Sequence, residues 1–182
     1  MIKTLKESLV YSDSWLSFYK DDVSFPGGES GTYVKLRRKS GAGVVLINPE
    51  NKIVLVQLLR YPTQRESWEI PGGGIEPGQQ PEEAAISEAQ EEVGIHIDVK
   101  LLQPLGSFYP LNSLSDERIS LFLARISESE LRNHVANDAE IISVALIEIS
   151  HALQMIEDGR INDAITALAI HLALNKLSLG SQ

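Results

Sequence analysis

The sequence contains no cysteine, and it has no apolar run long enough to cross a membrane. Without cysteine, disulfide bonds, thiol nucleophiles and thiolate metal ligands are all excluded. A transmembrane helix needs about 20 predominantly apolar residues, and the first residues, MIKTLKESLVYS, lack the apolar stretch of a signal peptide. We therefore expect a cytoplasmic protein without a membrane partner.

Positive charge is also scarce. The 182 residues include 16 Lys and Arg against 25 Asp and Glu, which gives a formal net charge of −9. Nucleic acids and anionic membrane surfaces attract proteins mainly through Lys and Arg, so neither is an expected partner. With 43% hydrophobic residues, the composition is that of a globular protein with one main domain.

The shortage of positive charge is greatest between Arg65 and Lys100, where no Lys or Arg occurs. Spacings of three and four place Glu88, Glu91 and Glu92 on one adjoining face of a helix. A solvated acidic face is the alternative interpretation, but such a face normally carries Lys or Arg as well. With oxygen ligands only, the pattern predicts a site for Mg²⁺ or Mn²⁺ rather than zinc.

A helix is predicted to carry these glutamates. Pro81 suits the first helical position, and Gly94 suits the left-handed residue that ends a helix. Small apolar residues recur every four positions between them, at Ala85, Ala89 and Val93. This narrow stripe predicts a helix that packs closely on a core.

Residues 73–95 resemble the Nudix box, G-x5-E-x7-R-E-U-x-E-E-x-G-U, in which U is an aliphatic residue. Gly73 and the Glu-x-x-Glu-Glu-x-Gly core of residues 88–94 match with their spacings. Gln79 stands where the family has Glu, and Ser87 where it has Arg. We expect this neutral pair to replace an ion pair without supplying chemistry.

Short strands are predicted on both sides of the box. Three of them, Thr4–Tyr11, Trp15–Val23 and Thr32–Arg38, would form a small antiparallel sheet. The expected domains are an N-terminal dimerisation arm, residues 1–38, and a Nudix domain, residues 39–182. For the latter the resemblance implies an α/β fold, an α/β/α sandwich with a mixed sheet. Its other predicted elements are strands over Ala42–Ile47, Lys52–Leu59, His96–Leu102, Gly106–Tyr109, Glu117–Ala124 and Ile141–Ile149, and two helices capped by Ser150 and Asn162.

The regions flanking the box resemble the ADP-ribose and nucleoside diphosphate sugar pyrophosphatase branch of the family. That branch implies a homodimer formed through the N-terminal strands. It also implies a set of substrate-binding residues, which are Trp15, Tyr33, Arg38, Arg60, Pro110 and Glu117. Trp15 and Tyr33 would stack the nucleobase from two subunits, and Arg60 would contact phosphates. The alternatives are that Trp15 packs inside the small sheet, that Arg60 is a surface arginine and that Pro110 merely ends a strand.

The resemblance also implies how a cation and a base would be provided. The backbone carbonyl of Gly72 would join Glu88, Glu91 and Glu92 as ligands of Mg²⁺ or Mn²⁺. Such an ion neutralises phosphate oxygens and lowers the pKa of a bound water. Glu140 stands at the matching place for the general base, and Glu91 is its alternative.

Together these features predict a metal-dependent hydrolase. It would split ADP-ribose or a nucleoside diphosphate sugar into a nucleoside monophosphate and a sugar phosphate. Two alternatives are a Nudix-fold module that senses such a ligand without turnover, and a pyrophosphatase that removes damaged nucleoside triphosphates. The complete glutamate triad favours an enzyme over the sensor, and the N-terminal strands do not fit the triphosphate enzyme.

Overall fold

The computed structural model describes residues 1–127 and 141–179. The chain forms two compact units: residues 1–40 with 108–119, and residues 41–107 with the described residues from 120 onward. The division into residues 1–38 and 39–182 stays a prediction; the first unit also takes in the segment 108–119. No helix in the described ranges is long and apolar enough to span a bilayer.

The first unit is built on a small antiparallel sheet. Its strands are β1 (Lys3–Lys6), β2 (Leu9–Ser12), β3 (Leu16–Ser24) and β4 (Ser30–Arg38). β4 pairs with β3 along its whole length, and β1 and β2 share the other edge of β3. The prediction of one strand over Thr4–Tyr11 is therefore wrong. The strand breaks at Ser8, whose N–H donates to Asp21 Oδ1 at 3.1 Å.

The second unit is built on a seven-stranded sheet with the order β11-β6-β5-β10-β9, in which β7 pairs with β6 and β8 with β5. Its strands are β5 (Gly41–Ile47), β6 (Lys52–Arg60), β7 (Arg65–Glu69), β8 (Gly72–Gly74), β9 (Gln103–Phe108), β10 (Ile119–Arg125) and β11 (Ile141–Glu148). The predicted hairpin of β5 and β6 is confirmed by the antiparallel pair Ile47 and Ile53. Beyond that pair the two strands separate, and β7 and β8 fill the space between them.

Helices α1 (Pro81–Val93), α2 (Ile149–Glu157) and α3 (Ala164–Leu179) complete this unit. The predicted limits of α1 are confirmed, because Pro81 is its first residue and Gly94 ends it with φ 65°. Glu83 closes the first turn by accepting the backbone N–H of Gln80 at 2.9 Å. The stripe of Ala85, Ala89 and Val93 is fully buried, as expected.

The large sheet is covered on both faces. Val44 and Leu46 of β5 belong to the apolar cluster formed with the buried side of α1. Val45 and Ile47 alternate with them, so they point to the opposite face, and they are equally buried. Helix α3 packs against β5 as well. The architecture is the α/β sandwich that the sequence predicts.

Two local predictions of helix caps are wrong. Helix α2 begins at Ile149 with Glu148 as its N-cap, so Ser150 lies inside the helix. At the start of α3 it is Asp163 that accepts the N–H of Thr166, at 2.7 Å. Asn162 instead donates its side-chain amide to the carbonyl of Glu66 at 2.9 Å, which ties the start of α3 to β7.

The strand predicted over His96–Leu102 is also wrong. Residues Val99–Leu101 form a short 3-10 helix, and Asp98 caps it by accepting the N–H of Lys100 at 2.9 Å. An aspartate that binds the backbone two residues further on favours a turn over a strand.

Candidate active site

Two glutamates of α1 lie against the glycine strand β8. The N–H of Gly72 donates to Glu92 Oε2 at 2.9 Å. A Cβ added to Gly73 would stand 2.2 Å from Glu88 Oε1, so only glycine leaves this space for the carboxylate. Glu92 is only 7% exposed, whereas Glu91 is exposed to solvent. The structure thus brings Glu88 and Glu92 together at the backbone of β8.

The donors at β8 are oxygen atoms of the type that Mg²⁺ and Mn²⁺ prefer. In the described part of the chain, no group of three or more His, Cys, Asp or Glu side chains lies close enough to hold a metal ion. Magnesium is commonly held by one or two carboxylates, with water and substrate phosphates completing its shell. The carboxylates of Glu88 and Glu92 fit such a site. That they bind the ion together with Glu91 and the carbonyl of Gly72 stays a prediction.

The first glycine of β8 has a different role from the second. A Cβ on Gly72 would stand 2.7 Å from the carbonyl oxygen of Ala42 and 2.9 Å from the Cα of Gly43. Both atoms are backbone atoms of β5, which cannot rotate aside. Glycine at position 72 therefore permits the pairing of β8 with β5, and glycine at position 73 admits the Glu88 carboxylate.

The two residues that depart from the box pattern contact each other. Gln79 Nε2 lies 3.5 Å from Ser87 Oγ and donates to it. The other end of the same amide accepts the backbone N–H of Glu76 at 2.9 Å. The neutral pair thus links the loop after β8 to the middle of α1, as an ion pair would.

Arg60 forms a two-pronged ion pair with Glu69. Its Nε donates to Glu69 Oε1 at 2.9 Å and its Nη2 to Glu69 Oε2 at 2.6 Å. The Glu69 side chain is 11% exposed and that of Arg60 is 42% exposed. Arg60 is the last residue of β6 and its side chain reaches solvent, so the alternative of a surface strand-end arginine stays open. The role of Arg60 in binding phosphates stays a prediction.

This ion pair lies on the same face of the large sheet as α1. Directly opposed residues of neighbouring strands share a face, and Glu69 is opposite Val56, while Ser67 is opposite Leu58. Val56 and Leu58 belong to the apolar cluster that includes the buried side of α1. Arg60 follows Leu58 by two residues and so lies on that face too.

The first unit holds the other predicted substrate-binding residues. Trp15 is 77% exposed and Tyr33 is 41% exposed, so the alternative that Trp15 packs inside the small sheet is wrong. Arg38 Nη1 donates to Glu117 Oε2 at 3.1 Å, which brings these two residues together. Pro110 is exposed in the turn after β9.

Within one chain, Trp15 and Tyr33 lie at different positions along the small sheet. Tyr33 is opposite Asp21, whereas Trp15 directly precedes Leu16 at the start of β3. Asp21 lies five positions after Leu16, which is roughly 17 Å along a strand. Glu140, the predicted general base, lies outside the described residues, so its role stays a prediction.

Residues 37–167 match the family model described as NUDIX domain. The chain belongs to the NUDIX family. The match begins at the end of β4 and ends in the first turn of α3, so it includes the box. The family membership expected from residues 73–95 is confirmed.

Two curated relatives match almost the whole chain. The ADP-ribose pyrophosphatase of Bacillus subtilis (strain 168) is 30% identical over 181 residues, which is 99% of this chain and 96% of the relative. The methanol dehydrogenase activator of Bacillus methanolicus is 31% identical over 169 residues, which is 92% of this chain and 90% of the relative. The expected branch of the family is confirmed by the family model and by the near full-length match to the ADP-ribose pyrophosphatase.

Among solved structures, the crystal structure of an ADP compounds hydrolase superposes with a TM-score of 0.77 at 18% identity. The superposition covers 97% of this chain and 94% of the other. The predicted fold class, a Nudix-type α/β sandwich with a mixed sheet and a small N-terminal antiparallel sheet, is thereby confirmed.

The sequence alone predicts no role for Glu69. Its partner Arg60 is nine residues away, and only the pairing of β6 with β7 brings their side chains together. The available signal was an acidic residue between two large apolar ones, Trp68 and Ile70, directly before the Pro-Gly segment. Such a residue is rarely buried unless it is paired.

Proposed function

We propose that this NUDIX protein hydrolyses the phosphoanhydride bond of ADP-ribose or of a nucleoside diphosphate sugar. The products are a nucleoside monophosphate and a sugar phosphate, and the cofactor is Mg²⁺ or Mn²⁺. The observation that carries the proposal is the convergence of Glu88 and Glu92 on the backbone of Gly72 and Gly73. Glu140, or alternatively Glu91, takes the proton from the attacking water.

The residues of β8 and α1 would hold the cation. Glu88, Glu92 and the carbonyl of Gly72 would supply oxygen ligands, and the ion, when bound, would neutralise phosphate oxygens and lower the pKa of a water. The Gly72 N–H that donates to Glu92 fixes one carboxylate oxygen in place. This arrangement lets a strongly acidic chain accept an anionic substrate, because the local charge is set by the ion.

The relatives support this substrate class. Besides the Bacillus subtilis protein, relatives named ADP-ribose pyrophosphatase and GDP-mannose pyrophosphatase match 85% and 94% of this chain. The Arg60 guanidinium, on the same sheet face as α1, provides a positive charge for the phosphates. A homodimer formed through the N-terminal strands would bring Trp15 of one subunit and Tyr33 of the other to the base; exposed apolar residues on those strands, such as Leu9 and Val10, support this arrangement.

A substrate panel tests the proposal. ADP-ribose, several nucleoside diphosphate sugars and a nucleoside triphosphate are incubated with the protein and Mg²⁺ or Mn²⁺, and phosphate is measured after a phosphatase is added. We expect turnover of ADP-ribose or a nucleotide sugar, and loss of that turnover when a chelator is present. Preferred hydrolysis of the triphosphate, or binding of every compound without turnover, would contradict the proposal.

A further inference from the structure

The ion pair of Arg60 with Glu69 joins a half-exposed cation to a nearly buried carboxylate. Both Glu69 oxygens accept from the guanidinium, at 2.9 and 2.6 Å. Two parallel bonds of this kind fix the plane of the guanidinium as well as its position. A single surface ion pair leaves the long arginine side chain many more conformations.

Stability does not require a carboxylate in this position. Burying a carboxylate costs desolvation energy that can exceed its attraction to a paired cation, and apolar replacement of such a pair is often neutral or stabilising. The register places Glu69 opposite Val56, where an apolar side chain would extend the neighbouring core without this cost. What the carboxylate adds is a fixed orientation for a cation that still reaches solvent.

The location of the ion pair indicates which site the Arg60 guanidinium faces. Arg60 and Glu69 lie on the α1 face of the sheet, and Glu69 precedes Gly72, the backbone partner of Glu92, by three residues. A guanidinium fixed on the same face as Glu88 and Glu92 presents its positive charge toward the side of the sheet that holds the proposed metal ligands.

We propose that Glu69 is a positioning residue that holds the Arg60 guanidinium in the orientation that binds the phosphates of the substrate. This inference rests on the proposed function of the same site. Glu69 itself does not touch the substrate; it acts through Arg60. The ligand is the diphosphate group that ADP-ribose and nucleotide sugars share.

The test compares Glu69→Gln with a matched control, Glu50→Gln. Glu50 forms an exposed ion pair with Lys52 at 2.6 Å in the hairpin turn, so the control also converts an ion-paired glutamate of the second unit into glutamine. In Glu69→Gln one acceptor is replaced by an amide N–H, which cannot bind the guanidinium. We expect KM to rise about tenfold, with kcat changed less than about threefold. The control should keep both constants.

A double-mutant cycle identifies Arg60 as the route of the effect. Arg60→Gln alone should raise KM at least as much as Glu69→Gln, and the double variant should be no worse than Arg60→Gln. An additive double variant, or a Glu69→Gln variant with a lower melting temperature and unchanged KM, would overturn the positioning role.

Binding of ADP, followed by calorimetry, separates this inference from the proposed function. ADP carries the diphosphate and needs no turnover to be measured. If the wild-type protein hydrolysed none of the panel but bound ADP about tenfold more tightly than Glu69→Gln, the proposed hydrolysis would fail and the positioning role would stand. Equal binding of ADP by the two proteins, or no binding by the wild type, would overturn the positioning role.

Discussion

The carboxylate of Glu88 occupies the space in which a side chain on Gly73 would stand, since an added Cβ would lie 2.2 Å from Glu88 Oε1. No side chain of β8 therefore separates the strand from Glu88. The carboxylate proposed as a metal ligand lies directly against the backbone of Gly73. This relationship can be tested from the glycine side without altering the glutamate.

Gly73→Ala should displace the Glu88 carboxylate and reduce kcat by about tenfold to 100-fold, because a metal ligand held about 1 Å out of place binds less well. The melting temperature should change little, since the clashing atoms are the end of a flexible side chain. Steady-state kinetics and thermal unfolding measure both effects.

Gly74→Ala and Gly72→Ala serve as comparisons on the same strand. A Cβ on Gly74 meets nothing within 4 Å, so that variant should keep both activity and stability. A Cβ on Gly72 meets backbone atoms of β5, so that variant should lose about 1–3 kcal/mol of unfolding free energy. Full activity in Gly73→Ala would show that Glu88 need not occupy its observed position.

Glu92→Gln should reduce kcat at least ~100-fold while the fold stays intact. Glutamine retains an oxygen that can accept the N–H of Gly72, so the contact that holds the side chain is preserved while the negative charge is lost. The measurement is turnover at saturating Mg²⁺, with circular dichroism as the control for folding. Near-normal turnover would mean that the cation binds elsewhere.

The neutral pair of Gln79 and Ser87 predicts a coupled response. Ser87→Arg alone should destabilise the protein or leave it unchanged, because it adds a cation beside an amide. Adding Gln79→Glu should recover stability beyond the sum of the single effects, since the two side chains are 3.5 Å apart. A double-mutant cycle of unfolding free energies measures this coupling; strict additivity would contradict it.

Trp15→Ala should raise KM with little change in kcat, the pattern of lost uniform binding. A base stacked on one aromatic ring gains roughly 1–3 kcal/mol, which corresponds to at least fivefold in KM. Because Trp15 is 77% exposed, its removal should leave the melting temperature unchanged. An unchanged KM would exclude the stacking role. This single substitution is preferable to deletion of residues 1–38, since residues 108–119 belong to the same compact unit.

Asp21 predicts a dependence of stability on pH in the small sheet. The ammonium of Lys35 donates to this buried carboxylate and holds its pKa below the ordinary value of 3.8. The ionised form is therefore favoured by folding, and its contribution is complete above 3.8 and lost as the pH falls through the lowered pKa.

Urea unfolding of Asp21→Asn at several pH values measures that contribution. The wild type should lose more stability than the variant between about pH 5 and pH 2, the range in which native carboxylates become protonated. The neighbouring Asp22 is exposed, so Asp22→Asn should follow the wild type. Equal acid sensitivity of Asp21→Asn and the wild type would contradict the role of the ion pair.

The parts of the structure that the sequence predicted correctly depend on local signals. Pro81 and Gly94 determine the ends of α1 through backbone geometry, and small residues spaced by four determine its buried side. The glutamates that meet β8 follow from that helix. The resemblance of residues 73–95 to the Nudix box predicts the fold of the second unit.

The missed elements depend on contacts between distant residues. Strand β8 consists of three glycines, so it has no side-chain alternation to detect, and its pairing with Gly41–Gly43 becomes visible only in the folded sheet. The sequence does not distinguish Asn162 from its neighbour Asp163 as the cap of α3, because both residue types cap helices equally well. The side-chain amide of Asn162 instead donates to the carbonyl of Glu66 in β7, which lies 96 positions earlier in the sequence.

The four residues Glu69–Gly72 connect the anchor of Arg60 to the backbone partner of Glu92. They are fixed at each step: Ile70 N–H donates to Thr166 Oγ1 at 3.2 Å, and Val44 N–H donates to the carbonyl of Pro71 at 2.9 Å. The proline ring removes one further torsion. The segment therefore holds Glu69 and Gly72 at a fixed spacing between two strands. Inserting one residue would reverse the sheet face of the side chains on one side of the insertion, so Glu69 and Gly72 could not both keep their present partners.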